Sequence, residues 1–285
     1  MRRITLPGGA PPSTMPVLGL GTWRFGESRS RRAAEIASVR TALELGYRLI
    51  DTAEMYGEGG AEEVVGAALA EAVRAGDVRR EDVVVVSKVY PHNASRSGTR
   101  AACDRSRHRL GLDTIDVYLL HWRGQHPLAE TGEAFEHLAG AGHIRRWGVS
   151  NFDVDDMEEL AAISPDCAAN QVWYSLRERG PEHALMPWLA ARGVPLMAYS
   201  PIDQGDASRD AALGRLAEAK GVTATQLALA RLLANPGVVA IPKATGTAHL
   251  RENLAAADVV LTAQEIHAID AQFRSPSRKT PLAMN

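Results

Sequence analysis

Short runs of aliphatic and β-branched residues alternate along the chain with longer stretches whose apolar positions recur at helical spacing. The short runs fall at Val17–Thr22, Arg48–Thr52, Val83–Lys88, Val117–His121, Arg146–Ser150, Ala169–Val172, Pro195–Ser200 and Val238–Pro242. Between them lie segments such as "AAEIASVRTALELG", "GAEEVVGAALAEAVRAG" and "VDDMEELAAI", several of which close on glycine, the residue favoured just past a helix end. The final pair, "TAHLRENLAAADVV" and "TAQEIHAIDAQF", open on Thr247 and Thr262, which suit N-caps. This alternation predicts parallel βα units, and a parallel set of eight strands buries both faces by closing into a (β/α)₈ TIM barrel. A doubly wound open sheet that bound a dinucleotide would be expected to carry GxGxxG after its first strand. Neither "LGLGTW" nor "GEGGAEE" fits that pattern, and no P-loop is present. The expectation is one α/β domain over residues 1–285, with a short N-terminal hairpin at about residues 1–16 and an irregular tail at about 274–285.

Composition narrows the partners. Hydrophobic residues make up 45% of the chain and charged residues 23%, enough apolar material for a sizeable core. Lys plus Arg number 32 against 34 Asp plus Glu, a balance that leaves no electrostatic footprint for nucleic acid or an anionic membrane. Cys103 and Cys167 are far apart and form no CxxC pair, which points to reduced thiols and a cytoplasmic protein. The N-terminal stretch has no apolar signal region, and no apolar run is long enough to span a bilayer. Nothing marks an oligomer interface, so a monomer is the working expectation. His108, His121 and His126 lack metal-ligand spacing and HExxH is absent, so no metal is expected. "GVSNF" is not a nucleophile elbow, because its fifth residue is Phe152.

The chemistry concentrates where the predicted strands stop. Those ends carry Asp51, Lys88, His121, Ser150 with Asn151, Gln171, Tyr199 with Ser200, and Lys243. Singly, an Asp after an apolar run is usually a turn or cap residue, and a lone Lys or His is usually solvated or structural. In a barrel, however, all these ends share the face that holds active sites. Tyr56 follows Asp51 closely in "LIDTAEMYGEGG". A phenol of ordinary pKa about 10 exchanges protons sluggishly at neutral pH unless a cation stabilises its phenolate. Lys88 is the candidate cation, Asp51 its counter-ion, and His121 a neutral imidazole able to share a substrate oxygen. Such a set suits proton transfer to a carbonyl oxygen. Trp23 and Trp122, each beside a strand end, are candidates for the wall of an apolar pocket.

The ordered motifs "LGLGTW", "LIDTAEMYG", "VSKVYP", "VYLLHW", "IRRWGVSNF", "NQVWY", "MAYSPI" and "AIPKAT…HLRENL" resemble the aldo-keto reductase superfamily from about residue 15 to 270. They come nearest its bacterial methylglyoxal reductase-like branch. The resemblance implies an NADPH-dependent carbonyl reductase that binds its cofactor without a Rossmann domain. It also implies a catalytic tetrad of Asp51, Tyr56, Lys88 and His121. Ser150, Asn151 and Gln171 would hold the nicotinamide carboxamide, and Tyr199 would stack on the ring. Ser200, Pro201 and Ile202 would border the pyrophosphate, while Ile241, Pro242, Lys243, Ala244, Thr245 and His249 would lie along the adenosine phosphate. Glu252 and Asn253 would contact the adenine, with Gly21, Thr22 and Trp23 also on the cofactor side. The substrate would meet Trp23, Tyr56, Tyr90, His121 and Trp122, an aromatic pocket suited to aldehydes and 2-oxoaldehydes such as methylglyoxal. Two positions depart from the family. Ala244 stands where Ser is common, and His249 where an Arg usually meets the 2′-phosphate, which makes NADH a second cofactor to consider. The segment "IDQGDASRDAAL" is short, so an open cofactor site is expected. The alternatives are a cofactor-binding regulatory subunit of the same fold, or an aldolase using Lys88 as Schiff-base nucleophile.

Overall fold

The computed structural model describes residues 1–9 and 13–285; the tip of the expected hairpin, Ala10 to Pro12, lies outside the described residues. The strands are β1 (Arg3–Leu6), β2 (Ser13–Pro16), β3 (Leu20–Gly21), β4 (Leu49–Asp51), β5 (Val84–Val89), β6 (Ile115–Leu120), β7 (Ile144–Ser150), β8 (Asn170–Trp173), β9 (Leu196–Tyr199) and β10 (Val238–Ala240). The helices are α1 (Arg32–Leu45), α2 (Gly60–Ala75), α3 (Arg96–Leu110), α4 (Leu128–Gly140), α5 (Val154–Ile163), α6 (Leu185–Ala190), α7 (Ala211–Lys220), α8 (Ala224–Leu233), α9 (Thr247–Ala255) and α10 (Ala263–Gln272).

Strands β3 to β10 pair in sequence order, every pair parallel. The sheet closes on itself through a parallel bridge between Leu18 and Ala240. There the Gly19 amide donates to the Ala240 carbonyl at 2.9 Å, and the Ala240 amide donates to Val17 at 2.8 Å. The predicted run from Val17 to Thr22 therefore divides its bonds. Its first residues face β10, and only Leu20–Gly21 pairs regularly with β4, as the stagger of a closed barrel requires. The result is the (β/α)₈ architecture expected from the alternation of elements.

Strand residues alternate between two cores, as a period of two dictates. Leu49, Val86, Val117, Leu119, Met197, Val239 and Ile241 fill the barrel interior. Ile50, Val85, Tyr118, Leu120, Val172 and Ala198 pack outward against helix residues such as Val39, Leu43, Val64 and Leu69. β1 and β2 form an antiparallel hairpin, with Arg3 opposite Pro16 and Leu6 opposite Ser13. It sends Leu6 and Met15 into the interior cluster, plugging the barrel.

Thr262 caps α10 through a reciprocal capping box with Glu265. Thr247 does not cap α9. It is already helical, and Gly246 holds the cap position without a side-chain bond. Beyond α10 the tail runs back over the molecule, where Ser275 donates to Glu182 at 2.7 Å and Lys279 pairs with Asp153 and Asp155, each at 3.3 Å. Among the described residues no helix is long and apolar enough to cross a membrane.

Candidate active site

The candidate residues continue the inward-facing register of the strands. Two positions beyond interior Leu49 comes Asp51; beyond Val86 comes Lys88; beyond Leu119, His121; beyond Met197, Tyr199; beyond Ile241, Lys243. The top layer of the barrel interior is thus polar where the lower layers are aliphatic. That is the ordinary place for chemistry in this architecture.

Tyr56 does not belong to a strand. It opens a short 3₁₀ turn, Tyr56–Gly59, leading into α2, with Gly57 and Glu58 both left-handed at φ 58° and 52°. Gly26, in the loop after β3, packs backbone to backbone on this turn. A Cβ there would stand 2.1 Å from the Gly60 carbonyl carbon, at a φ of +73°. The glycine-rich stretch after Tyr56 therefore lets the Trp23–Gly26 loop and the Tyr56 turn approach closely enough to share one cavity.

At the floor, Lys88 is fully buried and donates to Asp51 Oδ2 at 2.8 Å, to the Thr52 carbonyl at 2.8 Å and to the Tyr56 hydroxyl at 3.3 Å. Asp51 Oδ1 accepts from Gln171 Nε2 at 2.7 Å, so both carboxylate oxygens are engaged. Burial pushes Asp51 up and Lys88 down, and each is pulled back by the other's charge. Burial also pushes Tyr56 well above 10, and the Asp51 carboxylate pushes the same way. Both push toward the protonated phenol, and the Lys88 ammonium stands beside it as the cation expected from the sequence. His121 is driven well below 6.5 by burial and then by the Lys88 charge, so its imidazole is neutral near pH 7. Its ring meets Tyr56 edge-on at 5.7 Å and Trp122 at 4.9 Å.

A cavity of about 750 Å³ opens above this floor. It is lined by Gly21, Trp23, Asp51, Tyr56, His121, Trp122, Ser150, Asn151, Gln171, Tyr199, Ser200, Pro201, Ile202, Ile241, Lys243, Ala244, Thr245, His249, Glu252 and Asn253 among the expected residues. Four expected residues fall outside the lining. Lys88 lies beneath Tyr56. Thr22 is fully buried and gives its hydroxyl to the Asp51 carbonyl at 2.9 Å. Pro242 turns its carbonyl to the Gly21 amide at 3.2 Å. Tyr90 stacks on His92 at 4.6 Å and donates its hydroxyl to Glu58 at 3.2 Å, so it backs Trp122 instead of facing the cavity.

On the wall beyond His121, Asn151 (φ 60°) donates to the His121 carbonyl at 3.1 Å and accepts from the Tyr199 hydroxyl at 2.9 Å. Ser150 donates to the Gln171 carbonyl at 2.8 Å. At the far end, Lys243 is exposed, 5.4 Å from the centre of the Phe25 ring, and makes no ion pair among the described residues. His249 instead stands 3.2 Å from Glu252, whose other oxygen accepts from Thr223 at 2.6 Å.

Several functional neighbours escaped the sequence. Arg24, its guanidinium 4.4 Å over the Trp23 ring, and Met55 line the cavity. The short segment after β9 contributes Gln204, Gly205, Ser208 and Arg209 to the wall. Met284 and Asn285 arrive from the tail, Asn285 donating to Ser200 at 3.2 Å. Glu54, 5% exposed, accepts from the Tyr90 amide at 2.7 Å and Asn93 at 3.0 Å, tying the Tyr56 loop to the loop after β5. Only its place between Asp51 and Tyr56 could have flagged it.

Comparison with known proteins places the chain in a family. The methylglyoxal reductase YeaE of Escherichia coli (strain K12) is 44% identical over 95% of this chain and 95% of its own. The glyoxal reductase of Bacillus subtilis (strain 168) is 36% identical over 90% of this chain and 88% of its own. The crystal structure of an aldo-keto reductase from Klebsiella pneumoniae in complex with NADPH superposes with a TM-score of 0.92, at 43% identity and with 100% of both chains covered. The sequence profile of the aldo/keto reductase family matches residues 17–273, and the chain belongs to that family.

Proposed function

We propose that the protein is an NADPH-dependent carbonyl reductase that converts small aldehydes and 2-oxoaldehydes such as methylglyoxal to alcohols, with Tyr56 as the proton donor. The observation that carries this reading is the Tyr56 hydroxyl on the cavity floor, 3.3 Å from a buried Lys88 ammonium that Asp51 holds in place. The relatives named for methylglyoxal and glyoxal, and the neighbour bound to NADPH, support the same class of substrate and cofactor.

The chain fits a dinucleotide. Lys243 offers an uncompensated cation at one end of the cavity, beside the Thr245 and Asn253 side. At the other end Tyr199 presents a ring, Asn151 and Gln171 present amides, and Ser150 a hydroxyl. The reduced nicotinamide, when bound, supplies the hydride. Trp23 and Trp122 wall the substrate end with apolar surface and restrict water there. The neutral His121 imidazole orients the carbonyl oxygen toward the phenol. Tyr56 then gives its proton to the developing alkoxide, and the Lys88 ammonium, held by Asp51, stabilises the phenolate left behind until solvent reprotonates it.

His249 is engaged with Glu252, so the 2′-phosphate of NADPH would rely mainly on Lys243, and NADH is expected to serve more weakly. The burial of Lys88 beneath Tyr56, with three partners on its ammonium, argues against a Schiff-base role.

The test follows NADPH absorbance with methylglyoxal, repeated with NADH and with Tyr56→Phe. The expected outcome is turnover with NADPH, slower turnover with NADH, and a loss of about a thousandfold in kcat on removing the hydroxyl, within the range of general acid catalysis. Tight NADPH binding without reduction of any aldehyde would favour a regulatory subunit. Undiminished turnover by Tyr56→Phe would take the proton-donor role from this residue.

A further inference from the structure

The segment that carries Tyr56 is tied at both ends to consecutive residues of β5. At its start the Glu54 amide donates to the Lys88 carbonyl at 3.3 Å. At its end Glu62, in the first turn of α2, accepts from the Ser87 hydroxyl at 2.5 Å. Ser87 shares the outward register of Val85, while Lys88, the next residue of the strand, faces the cavity floor. Ser87 and Glu62 are both fully buried, and a carboxylate so removed from water needs a charged partner. Arg109, in the last turn of α3, is that partner: its Nε donates to the second Glu62 oxygen at 2.6 Å. The same guanidinium reaches back toward the start of the segment, with Nη2 4.0 Å from Glu54. Between the two carboxylates it lies on Gly59, the last residue of the Tyr56 turn, where a Cβ would stand 2.5 Å from Arg109 Nε. Burial pushes the Glu62 carboxyl up, and the Arg109 charge is the first to act against it. Neither Arg109 nor Glu62 lines the cavity, and the proton transfer set out above uses neither.

We propose that Arg109 is a positioning residue for the proton donor: by joining Glu54, Gly59 and Glu62 behind the barrel wall, it fixes the Tyr56 hydroxyl at its distance from the Lys88 ammonium. The inference rests on the reading of Tyr56 as proton donor given above. It gives α3, which contributes no residue to the cavity lining, a part in the chemical step.

The experiment is single-turnover reduction of methylglyoxal by enzyme-bound NADPH in stopped flow, which reads the chemical step apart from product release. It compares wild type, Arg109→Met, Arg109→Lys, Tyr56→Phe and the double variant Arg109→Met with Tyr56→Phe, each titrated with NADPH by fluorescence. Misplacing a reacting group by about 1 Å can cost about a hundredfold in rate. Arg109→Met is expected to slow the step by about tenfold or more and to leave NADPH affinity unchanged. Arg109→Lys keeps a cation for Glu62 but loses the planar fork that spans to Glu54, so it should recover part of the rate. In the Tyr56→Phe background, Arg109→Met should bring no further loss, because the hydroxyl it positions is gone. A contribution to packing alone would lower the rate by the same factor in both backgrounds. That equal factor, a wild-type rate in Arg109→Met, or a loss confined to NADPH affinity would each overturn the positioning role. If Arg109→Met fails to fold, Arg109→Lys in the two backgrounds carries the comparison. Undiminished turnover by Tyr56→Phe removes the proton-donor reading and this inference together; a slowed Tyr56→Phe beside an unslowed Arg109→Met removes the inference alone.

Discussion

Tyr56 and His121 hold opposite positions on the same scale. Burial raises the phenol and lowers the imidazole, so each is neutral across the physiological range. The directions fix the pH behaviour. With Tyr56 as the proposed proton donor, reduction needs the phenol protonated, and a pKa well above 10 would keep it so; reduction rates should therefore be flat from about pH 6.5 to 9, between the ordinary His and Tyr values. Oxidation of an alcohol needs the phenolate, which is scarce below that raised pKa. Its rate should climb by about tenfold per pH unit over the same interval. Profiles of kcat/KM in both directions check this, and a reduction rate that halves near neutral pH would assign the proton to another group. Part of this was legible in the sequence. Asp51, Lys88 and His121 each end a short apolar run, and a period of two places them above Leu49, Val86 and Leu119. The protonation state of Tyr56 was not legible, because it depends on how much water the closed site excludes. Nor was the orientation of Tyr90, which a carboxylate 32 residues earlier in the chain, Glu58, draws outward.

At the scale of elements, the close crossing of the β3 loop over the Tyr56 turn is the most sensitive join. Gly26→Ala combines a left-handed backbone with a Cβ 2.1 Å from the Gly60 carbonyl carbon. Neither element can yield without moving Trp23 or Tyr56. We expect a stability loss of more than about 2 kcal/mol together with a fall in kcat. Gly214→Ala in α7 is the control: its Cβ meets nothing within 4 Å, and the change should stabilise by about 0.5–1 kcal/mol without touching kinetics. Thermal unfolding alongside methylglyoxal turnover separates the two. Equal behaviour of both variants would remove the crossing as the reason for the glycines. Strand positions were readable from their apolar runs to within a few residues, since barrel strands must be aliphatic on both faces. The docking of the segment after β9 on Trp173, and of the tail on Ser200, was not. Those contacts join short polar stretches with no periodicity, and only the tertiary arrangement brings them together.

For the whole molecule, α10 is tied to the barrel by an ionic cluster of two buried arginines and a partly exposed aspartate. Asp270 accepts from Arg231 at 2.8 Å through both oxygens and from Arg179 at 2.8 Å, and each arginine is only 5% exposed. Burial opposes the charge on Asp270, but the bonds from Arg231 and Arg179 hold its carboxyl below the usual range. Asp270→Asn leaves Arg231 without its carboxylate and, with Asp270 partly screened by solvent, should cost about 1–2 kcal/mol, measured as a shift in urea midpoint, while NADPH affinity stays near wild type. An unchanged midpoint would show that the cluster contributes no net stability. The seam between Val17–Gly19 and Ala240 bears on how such a molecule is completed. Its partners are nearly the most distant in the chain, and contacts across long loops form late because the entropy of closing them must be met first. Asp51 and Lys88 come from adjacent strands and can meet early. Gly21 and Lys243 face one cavity only after the first and last strands have joined. The Asp51–Lys88 floor is thus a local product of folding, and the place proposed to hold a dinucleotide is its final one.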